Sequence, residues 1–91
     1  MKVKLSGVVI TFNEEDKIKQ CIESLENVCD EILVVDSFST DKTKEICLSK
    51  NVTFVTNKFK GHIEQKNYAK SLAKFDHIIS LDADELLDTE A

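Results

Sequence analysis

The chain has 91 residues, room for one small domain, and its 42% hydrophobic and 32% charged content is that of a soluble globular protein, not a disordered one. A net charge of −5, with lysines scattered along the chain, excludes the basic stripe that nucleic acid demands. No apolar stretch approaches the ~18 residues of a membrane span, and Met1-Lys2-Val3-Lys4 leads into a short strand without the cleavage site of a signal peptide. Cys21, Cys29 and Cys47 are odd in number and lack Cys-x-x-Cys spacing, so they read as reduced thiols of a cytoplasmic protein.

Val8-Val9-Ile10 is a continuous apolar run, the pattern of a strand covered on both faces in a parallel sheet. Asn13 is placed to cap the helix that follows, with Glu14, Glu15 and Asp16 in its first turn, and Ile18, Cys21, Ile22 and Leu25 form its apolar stripe. Ile32-Leu33-Val34-Val35 predicts a second buried strand, closed by Asp36. A second helix is expected from about Ser39-Thr40-Asp41, with Ile46 and Cys47 inward. Val52 to Thr56 alternates and suits an edge strand. A third helix is expected from Ile63 to Lys74, with Ala69, Leu72 and Ala73 on its inner side. Ile78-Ile79 marks the last strand, which runs into Asp82-Ala83-Asp84-Glu85.

This βαβαβαβ order, with right-handed crossovers, predicts an α/β fold. Its Rossmann-like, doubly wound parallel sheet would have the strand order 3-2-1-4. The first two helices then cover one face and the third covers the other. The order reverses between the first and last strands, so the crevice opens between their carboxyl ends. Three polar clusters are delivered there: Thr11-Phe12-Asn13-Glu14, Asp36-Ser37 and Asp82-Ala83-Asp84.

Two carboxylates one residue apart at such an edge are hard oxygen ligands suited to Mg²⁺ or Mn²⁺ carrying a diphosphate. Asp-x-Asp after a strand is also common helix-start decoration, so the pair gains meaning only from its neighbours. With two glycines in the chain and no Gly-x-Gly-x-x-Gly after the first strand, a nicotinamide cofactor on a glycine turn is excluded. Phe12 can instead lie against a base ring while Asp36 accepts a ring N–H; the competing reading makes Phe12 core and Asp36 a turn residue. A non-catalytic α/β module that binds a nucleotide or a protein partner is the alternative to an enzyme.

Val8 to Glu15, Val35 to Thr43, Gln65-Lys66-Asn67-Tyr68-Ala69 and Leu81 to Glu85 resemble, in order and spacing, the successive motifs of family 2 glycosyltransferases. The branch they are most similar to is that of lipopolysaccharide-core β-glucosyltransferases. The resemblance implies a GT-A fold and an inverting transfer from a nucleotide-sugar donor, a UDP-sugar above all, to a glycan or lipid-linked acceptor. It implies that Thr11, Phe12, Asn13, Glu14 and Asp36 surround the nucleoside, that Asp82 contacts the ribose and that Asp84 ligates the cation. Lys66 would then neutralise phosphate charge, Asn67 would satisfy backbone groups of the crevice loops, and His62 would cap or pack. Phe38 stands where the family usually has glycine. Residues 1–91 are expected to be the donor-binding part of a longer domain, with the general base beyond Ala91. The enzyme is expected in the cytoplasm, at most peripheral to the inner face of the membrane. An apolar last strand at the sheet edge also predicts self-association.

Overall fold

The computed structural model describes residues 3–87. Strands β1 (Leu5–Thr11), β2 (Glu31–Asp36), β3 (Thr53–Thr56) and β4 (His77–Asp82) alternate with helices α1 (Ile18–Glu26), α2 (Thr43–Leu48) and α3 (His62–Leu72). All pairings are parallel and the sheet order is β3-β2-β1-β4, the doubly wound arrangement expected from the alternation of elements. Among the described residues no helix is long and apolar enough to cross a membrane.

The continuous apolar runs follow from burial on both sides. Val9, Ile32 and Val34 face α1 and α2, packing with Ile18, Cys21, Ile22, Leu25 and Cys47. Val8, Ile10, Leu33 and Val35 face the other way, onto Ala69 of α3. Gly7 permits the close approach of α1 to β1, because a Cβ there would lie 2.9 Å from Cys29 Sγ and 3.1 Å from Leu25 Cδ1.

Three details differ from expectation. Helix α1 starts at Ile18, and Asn13 does not cap it; the Glu14 carbonyl accepts the N–H groups of Lys17 and Ile18 in a preceding turn. Helix α2 starts at Thr43, because Asp41 holds the chain in a turn, accepting the Thr43 N–H at 2.9 Å. Leu72 is exposed, although an inward position was expected. Its helix ends there, the backbone turning extended at Ala73, and the inner stripe of α3 is carried by Gln65 and Ala69, four residues apart.

Candidate functional site

Strand register sets the site. Thr11 lies opposite Asp36, Ile10 opposite Asp82 and Asp36 opposite Thr56, so the carboxyl ends of the strands finish in one row. The loops leaving that row enclose a cavity of about 220 Å³ at the β1/β4 reversal. Its walls include Thr11, Phe12 and Glu14 from β1 and its loop, Ser37 after β2, Phe59, His62 and Gln65 around the start of α3, and Asp82 to Asp84. An apolar hollow of about 410 Å³ adjoins it and shares Phe12, Ser37, Phe59 and His62.

Phe12 is 55% exposed, so it is not a core residue; its ring forms an open apolar wall. Asn13 adopts a left-handed backbone (φ 50°), which asparagine tolerates. Its Oδ1 accepts the N–H groups of Thr40 at 2.8 Å and Asp41 at 3.3 Å. The Glu14 N–H donates to Thr43 Oγ1 at 3.0 Å, and the Lys42 N–H to Glu15 Oε1 at 3.0 Å. The loop after β1 is thereby laced to the start of α2, and Asn13 holds the wall rather than lining it.

Asp36 is 2% exposed, and both of its carboxylate oxygens are held by Ser39, one by the backbone N–H at 2.8 Å and one by the hydroxyl. Strand alternation explains this: Asp36 shares the α1/α2 side with Ile32 and Val34, whereas Ser37 turns to the α3 side. Asp36 braces the loop and lies outside the cavity lining. In that loop Phe38 takes φ 61°, the conformation that glycine adopts without steric cost. Phe38→Gly is expected to leave the loop in place and to raise stability by up to about 1 kcal/mol, since the left-handed penalty exceeds the added chain entropy. A fall in the urea midpoint would contradict this.

Thr11 Oγ1 and Asp82 Oδ1, in two residues of the cavity wall, are themselves buried and have no hydrogen-bond partner. Lys66 Nζ lies 3.5 Å from Asp82 Oδ1, an ion-pair contact without hydrogen-bond geometry. Lys66 therefore reaches the site through Asp82 and is not itself part of the cavity wall. The Asp82 N–H donates to Glu85 Oε1 at 2.7 Å, which fixes the turn that presents Asp84. Asp84 is exposed and lines the cavity.

The role given to Asn67 belongs to Gln65. Asn67 is exposed, while Gln65 is 1% exposed and joins Asn57 and Ser37 across two loops. Phe59 and Gln65 were missed as wall residues, and Ser37, expected at the crevice with Asp36, was given no role of its own. Strand alternation after Asp36 was the available signal for Ser37, and a glutamine in register with Ala69 the signal for Gln65. His62 packs edge-on against Phe59, ring centroids 5.3 Å apart, as expected of a packing residue.

The field of the site is negative. The Cys21 thiol, which donates to the Asp82 carbonyl at 3.7 Å, is pushed up to about 12, first by burial and then by Glu85 and Asp84. Burial, then Asp36, pushes Cys47 to about 12, and burial, then Asp30, raises Cys29. Native protein at pH 8 is expected to expose Cys29 alone, slowly, to a thiol reagent; fast labelling of Cys21 or Cys47 by mass spectrometry would contradict their placement.

Among the described residues no three metal-ligating side chains converge. That still fits Mg²⁺ or Mn²⁺ on a diphosphate, which needs one or two protein carboxylates, waters and phosphate oxygens. Asp84, exposed on the cavity, is a hard oxygen donor of that kind.

Residues 6–91 match the family Glycosyl transferase family 2. The chain belongs to that family. An uncharacterized glycosyltransferase of Rickettsia bellii is 42% identical over 87 residues, covering 96% of this chain and 30% of the relative. The lipopolysaccharide core biosynthesis glycosyltransferase LpsC of Rhizobium meliloti is 38% identical over 92 residues, covering 96% of this chain and 34% of that protein. The chain thus spans about a third of the length of the curated relatives it matches. Among solved structures, glucosyl-3-phosphoglycerate synthase from Mycobacterium tuberculosis with Mn²⁺, UDP and phosphoglyceric acid is similar with a TM-score of 0.78 at 25% identity. That likeness covers 92% of this chain and 34% of the synthase chain. The four-stranded family 2 sheet seen here is the GT-A arrangement of such neighbours.

Proposed function

We propose that these residues form the donor-binding part of an inverting glycosyltransferase, which takes a UDP-sugar with Mg²⁺ or Mn²⁺ and serves a glycan or lipid-linked acceptor in the cytoplasm. The observation that carries this is an acidic cavity at the strand-order reversal, walled by Phe12 on one side and by Asp82 and Asp84 on the other. Phe12 supplies a flat wall for the base, Thr11 and Glu14 face the nucleoside, and Asn13 and Asp36 hold their loops in place. Asp82 faces the ribose, with Lys66 beside it offsetting part of the charge. Asp84 is the cation ligand. A bound cation stabilises the negative charge that develops on the departing diphosphate. A base that deprotonates the acceptor hydroxyl is also required, and none of the described residues is assigned to it. The UDP complexes of the Mycobacterium synthase and the lipopolysaccharide name of the Rhizobium relative support this choice of donor and acceptor.

Calorimetric titration of the 91-residue chain with UDP tests this. Binding is expected with Mn²⁺ at affinities on the order of millimolar, about 4 kcal/mol, and is expected to weaken at least tenfold with a chelator. Asp36→Ala is expected to weaken UDP through loss of the loop brace, with or without metal. Binding that ignores the cation would favour a plain nucleotide-binding module.

The outer side of β4 is unpaired among the described residues, and its side chains are only half-buried apart from the exposed His77. Such an edge templates pairing with a second chain. A concentration-dependent dimer is expected by sedimentation at micromolar protein; a monomer throughout would contradict it.

A further inference from the structure

We infer that Ser24, on α1 and outside all four sequence motifs, is a positioning residue for Asp84. Its hydroxyl ties the arm leaving the 82–85 turn to the helix and so holds the Asp84 carboxylate at the cavity; this rests on Asp84 being the cation ligand. The turn is fixed on both sides. Ala83 is 2% exposed within the core cluster, and its N–H donates to the Ile10 carbonyl at 3.0 Å, which ties the incoming side to β1. Asp84, Glu85 and Leu86 are then exposed. The chain returns to the body of the fold at Leu87, whose N–H donates to Ser24 Oγ at 3.1 Å across 63 positions of sequence. The Asp82 carbonyl accepts the Glu85 N–H at 2.9 Å and the Cys21 thiol at 3.7 Å, so α1 grips both the start and the exit of the turn.

Ser24 Oγ also donates to the Cys21 carbonyl at 2.7 Å. Ser49 and Ser71 make the same bond to the carbonyl three residues earlier, at 2.6 Å each, and it is a routine habit of serine in helices. Among the described residues Ser24 alone of the three also accepts a backbone N–H. Its proton is committed to Cys21, which leaves a lone pair presented to Leu87. The Leu87 side chain packs against the core as well, but apolar contact is non-directional. The hydrogen bond is what sets how the arm leaves the turn. An arm fixed at both ends presents Asp84 in one place, and a ligand held beforehand loses less freedom when a cation arrives.

The test is the ratio of UDP affinity in Mn²⁺ to UDP affinity with a chelator, measured by calorimetric titration. Ser24→Ala is expected to cut that ratio about fivefold, less than the roughly 10- to 100-fold typical of groups bonded directly to a metal ligand, because Ser24 acts through intervening backbone. Affinity with the chelator is expected to stay the same, which a general loosening of the fold would not allow. Ser24→Thr, which keeps the hydroxyl, is expected to retain the ratio, and Ser24→Val, of the same size without it, to lose it. Ser71→Ala removes a back-bond alone and is the matched control, expected to change nothing. An undiminished ratio in Ser24→Ala and Ser24→Val, while Asp84→Ala collapses it, overturns the inference and leaves the cation-bridged donor function standing. A loss of affinity that is equal with and without Mn²⁺ does the same. Cation dependence that survives Asp84→Ala overturns the inference through its premise, and failure of the unaltered chain to bind UDP overturns both it and the proposed function.

Discussion

Replacing Asp84 by alanine is expected to abolish the cation dependence of UDP binding, dropping affinity in Mn²⁺ at least tenfold, about 1.4 kcal/mol, to the level found with a chelator. Asp84 is exposed, so the loss cannot be charged to a collapsed core. Its turn is held by Glu85 and by the Ala83 N–H on the Ile10 carbonyl, neither of which involves the Asp84 side chain. The same experiment on Asp82→Asn should weaken UDP while leaving a response to Mn²⁺, since Asp82 is the carboxylate proposed to face the ribose. Cation dependence that survives Asp84→Ala would move the metal elsewhere. Thermal shifts provide a second readout, because a ligand at ten times its Kd adds about 1.4 kcal/mol to stability.

Ile22→Ala is expected to destabilise the chain by about 2–5 kcal/mol, the range for deleting a fully buried aliphatic side chain. Ile22 is 0% exposed at the centre of α1, packed between the sheet and its helix neighbours. A domain of this size has a total margin on the order of 5–15 kcal/mol, so this substitution alone consumes a large part of it. Ile63→Ala, on the 75% exposed first turn of α3, is the matched control and should change stability by less than about 0.5 kcal/mol. Urea unfolding distinguishes the two: the midpoint should fall for Ile22→Ala at constant slope and stay for Ile63→Ala. Equal midpoints would contradict the assignment of the inner face of α1.

The sheet was legible because burial on both faces leaves a continuous apolar signature, and Val8 to Ile10 and Ile32 to Val35 carry it without ambiguity. The order of elements then determined the strand order and the position of the crevice. What was not legible is long-range. Asn13 satisfies every local rule for capping α1, yet its amide oxygen is taken by Thr40, 27 residues away, because the left-handed turn aims it there. Gln65 is a polar residue on a weakly amphipathic helix, and nothing local announces a partner 28 residues back in Ser37. Phe38 hides a left-handed backbone behind a residue that rarely adopts one. Asp36, expected around the nucleoside, lies outside the cavity lining, and the signal was present: alternation along β2 places it with Ile32 and Val34 and gives the inward position to Ser37.

The most direct measurement is paramagnetic broadening of backbone amides by Mn²⁺, recorded by NMR with and without UDP. The account predicts that UDP draws the ion to one place. Amides of Thr11, Phe12, Ala83 and Asp84 should broaden first, while Asp30 and Phe75, at the amino end of the sheet, stay sharp. Broadening that is the same without UDP, or that centres on the exposed carboxylates of α1 such as Glu23 and Glu26, would contradict a cation-bridged diphosphate site at the β1/β4 crevice.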